Sequence, residues 1–265
     1  MELQGRVEEI QRQGLGLAAI SYDAPEVLKK FADSRGITFP LISDRDSAII
    51  KRYGLLNTTV EPGTRSYGIP FPGTFIVDRR GIVRSRHFED AYQERNTVAS
   101  LLVARGVTPF GPAMTVETPH LALTAAVSDE VVAPGERVSL VFEISPKPGM
   151  HVYAPGGHSY QVVRVSLDPQ PWLRTHEVSY PASEIYHFTP LDERVEVYQK
   201  PFRLVQEVTL LATPEAQKLL GALDDVTISG RLEYQACDDK LCYAPRAVPI
   251  HWVLPVKRLD RRPPG

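Results

Sequence analysis

Apolar residues recur at helical spacing in the first hundred positions and alternate with polar ones through most of the rest. Leu3, Val7 and Ile10 share one helical face of residues 2–13, with Glu8, Glu9, Arg12 and Gln13 elsewhere, and Gly14 ends the helix. Leu15 to Tyr22 is a mostly apolar run suited to a buried parallel strand. Asp23-Ala24-Pro25-Glu26 opens a second helix with a side-chain cap, Pro in the first turn and Glu three residues after the cap. Its inward face is predicted to be Val27, Leu28, Phe31 and Ala32. Ile37 to Ser43 reads as a short strand, and Ser47 to Tyr53 as a short helix stopped by Gly54. Leu55 to Pro70 reads as loop. Thr74 to Asp78 and Ile82 to His87 form a hairpin across Asp78-Arg79-Arg80-Gly81. Thr97 to Ala104 is a last helix, facing inward through Val98, Leu101 and Leu102. Strand–helix alternation closed by a hairpin and a helix indicates α/β.

Val107 to Pro119 is rich in Pro and Gly and reads as a linker. Alternating segments follow at the spacing of a β-sandwich: Leu121 to Val127, Val138 to Ile144, Val162 to Leu167, Phe202 to Leu210, Val226 to Tyr234 and Val248 to Leu254. Turns fit at Ala133-Pro134-Gly135-Glu136 and Lys147-Pro148-Gly149, and a small helix is predicted over Pro214 to Leu223. Together these give domains at 1–106 and 120–256, a linker at 107–119 and a basic, proline-rich tail at 257–265. No internal repeat is visible.

Composition narrows the classes. Of 265 residues, 43% are apolar and 23% charged, as in an ordinary globular protein. The net charge of −2 comes without a basic block, which speaks against nucleic acid as a partner. No apolar run reaches the length of a membrane-spanning helix. Met1-Glu2-Leu3-Gln4-Gly5-Arg6 is charged from its start and does not read as a signal peptide.

The candidate chemistry lies in Tyr234-Gln235-Ala236-Cys237-Asp238-Asp239-Lys240-Leu241-Cys242-Tyr243-Ala244-Pro245, which holds the two cysteines of the chain. Closing so small a ring restricts the unfolded chain by only about 2 kcal/mol, and a chain of this length builds its cores without such a staple. A redox couple therefore stands beside three bland alternatives: a structural disulfide, two unpaired buried thiols, and a zinc site, which the absence of a second ligand pair disfavours. The residues alone rate the redox pair and the structural disulfide level. Asp238 and Asp239 would disfavour a thiolate on Cys237, and Lys240 would oppose them. His151, His158, His187 and His251 show no metal-ligand spacing, and Trp172 and Trp252 read as core.

Pro148-Gly149-Met150-His151-Val152-Tyr153, Glu196-Val197-Tyr198 and Tyr234-Gln235-Ala236-Cys237…Cys242-Tyr243-Ala244-Pro245 give the run from about Pro119 to Val256 its resemblance to the N-terminal periplasmic domain of DsbD, the thiol:disulfide interchange protein. The resemblance implies an immunoglobulin-like sandwich and a periplasmic or otherwise extracytoplasmic setting. It also implies a Cys237/Cys242 pair that carries electrons from a membrane partner to periplasmic client proteins, with thioredoxin-like proteins as partners by transient mixed disulfide. Cys242 would form the link and Cys237 resolve it, with Tyr243, His151 and Tyr153 in support and no cofactor beyond the pair. That family covers its cysteines with an aromatic after an Asp-Glu pair. Here Asp192-Glu193 is followed by Arg194-Val195, leaving Phe188 or Tyr186 as substitutes.

The first half resembles the AhpC/TSA peroxiredoxin branch of thioredoxin-like proteins. The matching residues are Ser21-Tyr22-Asp23-Ala24-Pro25-Glu26, Ile37-Thr38-Phe39-Pro40-Leu41-Ile42-Ser43-Asp44, Tyr53-Gly54 and Pro72-Gly73-Thr74-Phe75-Ile76-Val77-Asp78. Pro72 falls where thioredoxin-like proteins place a cis-proline, so a cis bond is expected there. The family's reactive cysteine lies on the turn before its first core helix, which here begins at about Glu2, and residues 1–110 contain no cysteine. The expected architecture is an α/β thioredoxin-like domain, incomplete for want of its first strand, followed by an all-β immunoglobulin-like sandwich. The leading expectation is a thiol–disulfide protein on a chain that begins late. Its rivals are a peroxidase whose active-site segment lies upstream, and a binding or scaffold module with a structural disulfide.

Overall fold

The computed structural model describes residues 2–64, 67–88, 94–188 and 192–257, and the chain divides into two units, Met1–Val98 and Ala99–Gly265. Of the expected tail at 257–265, all but Lys257 lies outside the described residues.

The first unit begins with α1 (Glu2–Gly5) and α2 (Val7–Arg12). The single helix expected over 2–13 is interrupted at Arg6, beside Gly5, whose helix propensity is about 1 kcal/mol below that of Ala. Gly14 ends α2 with φ 72°. β1 (Ala19–Ser21) pairs in parallel with β2 (Leu41–Ser43) across α3 (Pro25–Arg35). Pro25 occupies the first turn of α3, but the cap position is Ala24, and the Asp23 carboxylate accepts from Ser21 Oγ instead. Only Leu28 of the expected inward face is buried; Val27 and Phe31 are 55% and 46% exposed. Among the described residues the sheet against α3 is two strands wide, too narrow to cover that face, and Ile20 and Ile42 on it are also exposed. α4 (Ala48–Arg52) starts beneath the Asp44 carboxylate, which accepts from the Ile49 and Ile50 N–H groups. β3 (Gly73–Val77) and β4 (Val83–Phe88) form the expected hairpin, and Gly81 supplies φ 79° for its turn. The Phe71–Pro72 bond is trans, against the cis bond expected. Trans is the intrinsically favoured X–Pro isomer by about 0.5–1 kcal/mol.

β5 (Arg95–Asn96) and α5 (Val98–Val103) stand at the division. The division runs through the helix expected to close the first domain: Val98 is buried and ends the first unit, while the buried Ala99, Leu102 and Val103 fall in the second. There Ser100 Oγ also meets Ser139 Oγ at 2.7 Å. The expected linker is likewise partly structure: Ala113–Glu117 forms β6, paired along its length with β7 (Leu121–Val127). Val116 packs on the core, so the apolar residues of this segment outweigh its Pro and Gly.

Beyond β7 come β8 (Glu136–Pro146), β9 (His151–Tyr153), β10 (Arg164–Leu167), β11 (Leu173–Ser179), β12 (Glu184–Phe188), β13 (Glu193–Tyr198) and β14 (Phe202–Leu210). The helix α6 (Pro214–Leu220), with Thr213 accepting from Ala216 N–H as its cap, leads to β15 (Asp225–Tyr234), β16 (Ala236–Cys237) and β17 (Arg246–Pro255). One sheet runs β11-β14-β8-β7-β6, a second β10-β15-β17, and a third β12-β13-β9-β16. The first two face each other over one apolar core in which Phe142 meets Trp252 edge-on, and the Trp252 indole N–H donates to Ala125 O. The third closes one end and carries a satellite cluster of Tyr153, Val195, Val197 and Cys237.

Candidate functional site

A change of sheet positions the cysteines. β15 pairs with β17 up to Tyr234, Gln235 interrupts the strand, and β16 continues in the third sheet, opposite β9. The Gln235 side chain pins this crossing, accepting from Gln161 N–H and donating to Tyr243 O. Cys237 thereby stands opposite His151 in the β9–β16 register.

Cys237 and Cys242 are disulfide-bonded, with Cα atoms 4.1 Å apart. The intervening turn is organised by Asp238: Oδ1 accepts from Lys240 N–H (2.8 Å) and Leu241 N–H (2.7 Å), and Oδ2 from the Tyr243 hydroxyl (2.9 Å). The two backbone donors hold its carboxyl below the usual Asp range. The two sulfurs differ in access: Cys237 is 1% exposed, whereas Cys242 is exposed beside Leu241.

The Tyr153 hydroxyl contacts both sulfurs, at 3.0 Å from Cys237 Sγ and 3.4 Å from Cys242 Sγ. Burial raises its pKa far above the ordinary phenol value. The Tyr160 ring stacks on Tyr153 with centroids 4.2 Å apart, and its hydroxyl donates to Glu193 Oε2 at 2.7 Å. His151 is buried among Tyr153 and Tyr186, and burial lowers its pKa against the opposing pull of Asp239 and Asp238. Tyr186 on β12 donates to Asp239 Oδ1 at 3.0 Å, tying the β12–β13 hairpin to the cysteine turn. These side chains and Phe188 line a cavity of about 140 Å³ with both sulfurs in its wall. Among the described residues no group of three or more His, Cys, Asp or Glu is arranged to hold a metal ion.

The structure thus brings His151, Tyr153, Cys237 and Cys242 together. Tyr243 stands beside them, but its hydroxyl is committed to Asp238 and its ring lies against His120, 4.4 Å away, so it braces the turn and does not bond a sulfur. Pro72, in the first unit, is not among the lining residues. Tyr186 and Phe188, the two aromatics considered for covering the pair, both line the cavity. Tyr160 is the residue that sequence reasoning missed; it sits in an irregular Gly- and Ser-containing stretch without periodicity to mark it.

A disulfide with one accessible and one buried sulfur, set under aromatic and acidic side chains, makes the chain thiol–disulfide oxidoreductase-like. Residues 121–251 match the family of the thiol:disulfide interchange protein DsbD, N-terminal, and residues 1–86 match the AhpC/TSA family. The first unit is thioredoxin-like and the second β-rich on these matches. Alkyl hydroperoxide reductase E of Mycobacterium tuberculosis is 35% identical over 85 residues, 31% of this chain and 51% of that protein; the chain spans about half the length of this curated relative. Among solved structures, the N-terminal periplasmic domain of ScsB from Proteus mirabilis aligns at TM-score 0.37 and 13% identity, covering 53% of this chain and 49% of that one. The DsbD N-terminal domain of Neisseria meningitidis in the reduced form aligns at TM-score 0.28 and 17% identity, covering 44% of this chain and 81% of that one. No helix among the described residues is long and apolar enough to cross a membrane.

Proposed function

We propose that the second unit relays electrons by thiol–disulfide exchange through Cys237 and Cys242, in an extracytoplasmic compartment and with thioredoxin-like partners. The observation that carries this reading is the unequal access of the two sulfurs beneath Tyr153. A partner thiolate attacks the exposed Cys242 Sγ; the Cys237–Cys242 bond breaks and its electron pair leaves on Cys237. A mixed disulfide then joins Cys242 to the partner. A second partner thiol displaces Cys242, which leaves both cysteines reduced and the partner oxidised. The reverse sequence passes two electrons to a client. The Tyr153 hydroxyl donates to the Cys237 thiolate, and no cofactor takes part.

The first unit contributes no thiol, since residues 1–110 lack cysteine. Its sheet is read as incomplete: β1–β2 and β3–β4 are separate two-stranded pairs, and Ile20 and Ile42 lie uncovered.

Trapping with a purified thioredoxin-like protein tests the relay. Cys237→Ser is expected to accumulate mixed disulfides through Cys242, seen on a non-reducing gel after acid quench and alkylation, and Cys242→Ser to accumulate few. Equal trapping removes the assignment of roles, and no trapping by either variant leaves a structural disulfide.

A further inference from the structure

Tyr153 serves the relay only while its hydroxyl stays against the sulfurs, 3.0 Å from Cys237 Sγ and 3.4 Å from Cys242 Sγ. Neither sulfur of the disulfide carries a proton, so the hydroxyl is the donor in both contacts. Its oxygen lies on the ring axis. The first side-chain torsion therefore sets where the oxygen stands, and the second sets the ring plane in which its proton points. That second torsion has a broad well and does not hold an aim by itself. Opening the disulfide also moves the sulfurs apart and weakens the two contacts that steady the hydroxyl.

The Tyr160 ring is placed to hold both torsions. It lies parallel to the Tyr153 ring, with 5° between the planes and 4.2 Å between the centroids. A ring at that distance stops its neighbour from turning and from swinging to that side. His151 and His158 also meet the Tyr153 ring, but edge-on or tilted, at 5.6 and 5.2 Å. Tyr160 is itself anchored by groups other than the cysteines. Its hydroxyl donates to Glu193 Oε2 on β13 at 2.7 Å, and the next N–H, of Gln161, donates to Gln235 Oε1 at 3.1 Å. Gln235 is the residue at which the chain crosses into β16 and Cys237. One side chain thus ties the Tyr160 segment to the start of the cysteine strand.

We propose that Tyr160 is a positioning residue for the relay: its ring, anchored by Glu193, holds the Tyr153 hydroxyl on Cys237 Sγ while the disulfide opens. When a thiolate attacks Cys242 Sγ, the Cys237–Cys242 bond breaks and its electron pair goes to Cys237. The hydroxyl meets that charge as a donor already in place. Tyr160 gives its own hydroxyl to Glu193, so it acts on the sulfurs through Tyr153.

This inference rests on the proposed relay, in which Cys237 leaves with help from the Tyr153 hydroxyl, and a double-variant comparison separates the two. The oxidised full-length protein is mixed with dithiothreitol at neutral pH, quenched with acid and alkylated at intervals, and the reduced fraction is read by mass. Tyr160→Leu removes the stacked ring and is expected to slow reduction by about 10- to 100-fold, the loss that a displaced group brings. Tyr160→Phe keeps the ring but gives up its tie to Glu193, and its rate is expected to fall between the two. The decisive rate is that of the Tyr153→Phe/Tyr160→Leu double variant. Positioning works only through the hydroxyl, so this protein should be reduced no more slowly than Tyr153→Phe alone, whereas independent effects would multiply. A multiplied loss, or a full rate in Tyr160→Leu, overturns the positioning role and leaves the relay standing. If urea titration shows Tyr160→Leu to be unfolded, the same comparison is made with Tyr160→Phe, and a full rate there overturns the inference. An unchanged rate in Tyr153→Phe removes the hydroxyl from the relay itself.

Discussion

The Tyr153 phenol stays protonated at physiological pH, so toward a sulfur anion it acts as a donor. Tyr153→Phe keeps the ring stacked on Tyr160 and removes that donor. Hydrogen bonds to charged groups are worth about 1.5–3 kcal/mol, so reduction of the disulfide by dithiothreitol should slow by about 10- to 100-fold. An unchanged stopped-flow rate would show that the hydroxyl does not stabilise the leaving thiolate. His151 supplies a pH dependence of stability. Burial lowers its folded-state pKa, so below about pH 6.5 the unfolded chain takes up a proton that the folded one resists. Stability must then fall as pH drops from about 6.5 through the folded value. The urea midpoint should decline between neutral pH and pH 5, and decline less in His151→Gln; equal declines would exonerate His151. Both residues were singled out in the sequence by the resemblance of Pro148 to Tyr153 to the DsbD segment, and not by periodicity; the structure places them on a three-residue strand opposite the cysteine strand. Glu193 and Tyr160 meet across 33 residues of chain, and no local pattern signals such a meeting.

Among the elements, the strands that came out of the sequence with their boundaries intact, β7 and β14, lie in the sheet interior with regularly buried positions on one face. β11 and β12 did not emerge, because they lie at sheet edges and bury little on either face. β6 was hidden by the prolines around it. In the first unit the periodicity of α3 was genuine, but a helical stripe declares only what a helix could bury, and here the covering layer is too narrow. One close approach within the second sheet is open to test. A Cβ at Gly230 would stand 2.3 Å from Ser166 O and 2.8 Å from Leu167 Cα on β10, both backbone atoms that cannot swing aside. Gly230→Ala should cost about 1–3 kcal/mol in urea unfolding, in the range of overpacked sites. A change within a few tenths of that baseline would mean that β10 yields freely.

For the whole molecule, the division of chemistry between the units is the testable point. With Cys237 and Cys242 both changed to Ser the chain contains no thiol. This variant should reduce hydrogen peroxide no faster than buffer in the presence of a thiol reductant. Turnover above that background would give the first unit a chemistry of its own. The two-unit organisation was readable from the change in hydrophobic period, from 3.6 to 2, but its boundary was not. α5 has a helical pattern that suits the preceding α/β unit, yet the division runs through it, with the buried Val98 in the first unit and the buried Ala99, Leu102 and Val103 in the second. Period identifies an element's type and leaves open which neighbour it packs on.

The Asp238 turn has a consequence for anyone searching for the partner. The carboxylate and its three donors brace the turn by contacts other than the sulfur–sulfur bond, so the two sulfurs are expected to stay neighbours when that bond opens. Their encounter is intramolecular, with the high effective molarity of oriented groups. On the proposed relay, a covalent complex through Cys242 is expected to be short-lived, and affinity capture with the unsubstituted chain is expected to return little even from a lysate that holds the right protein.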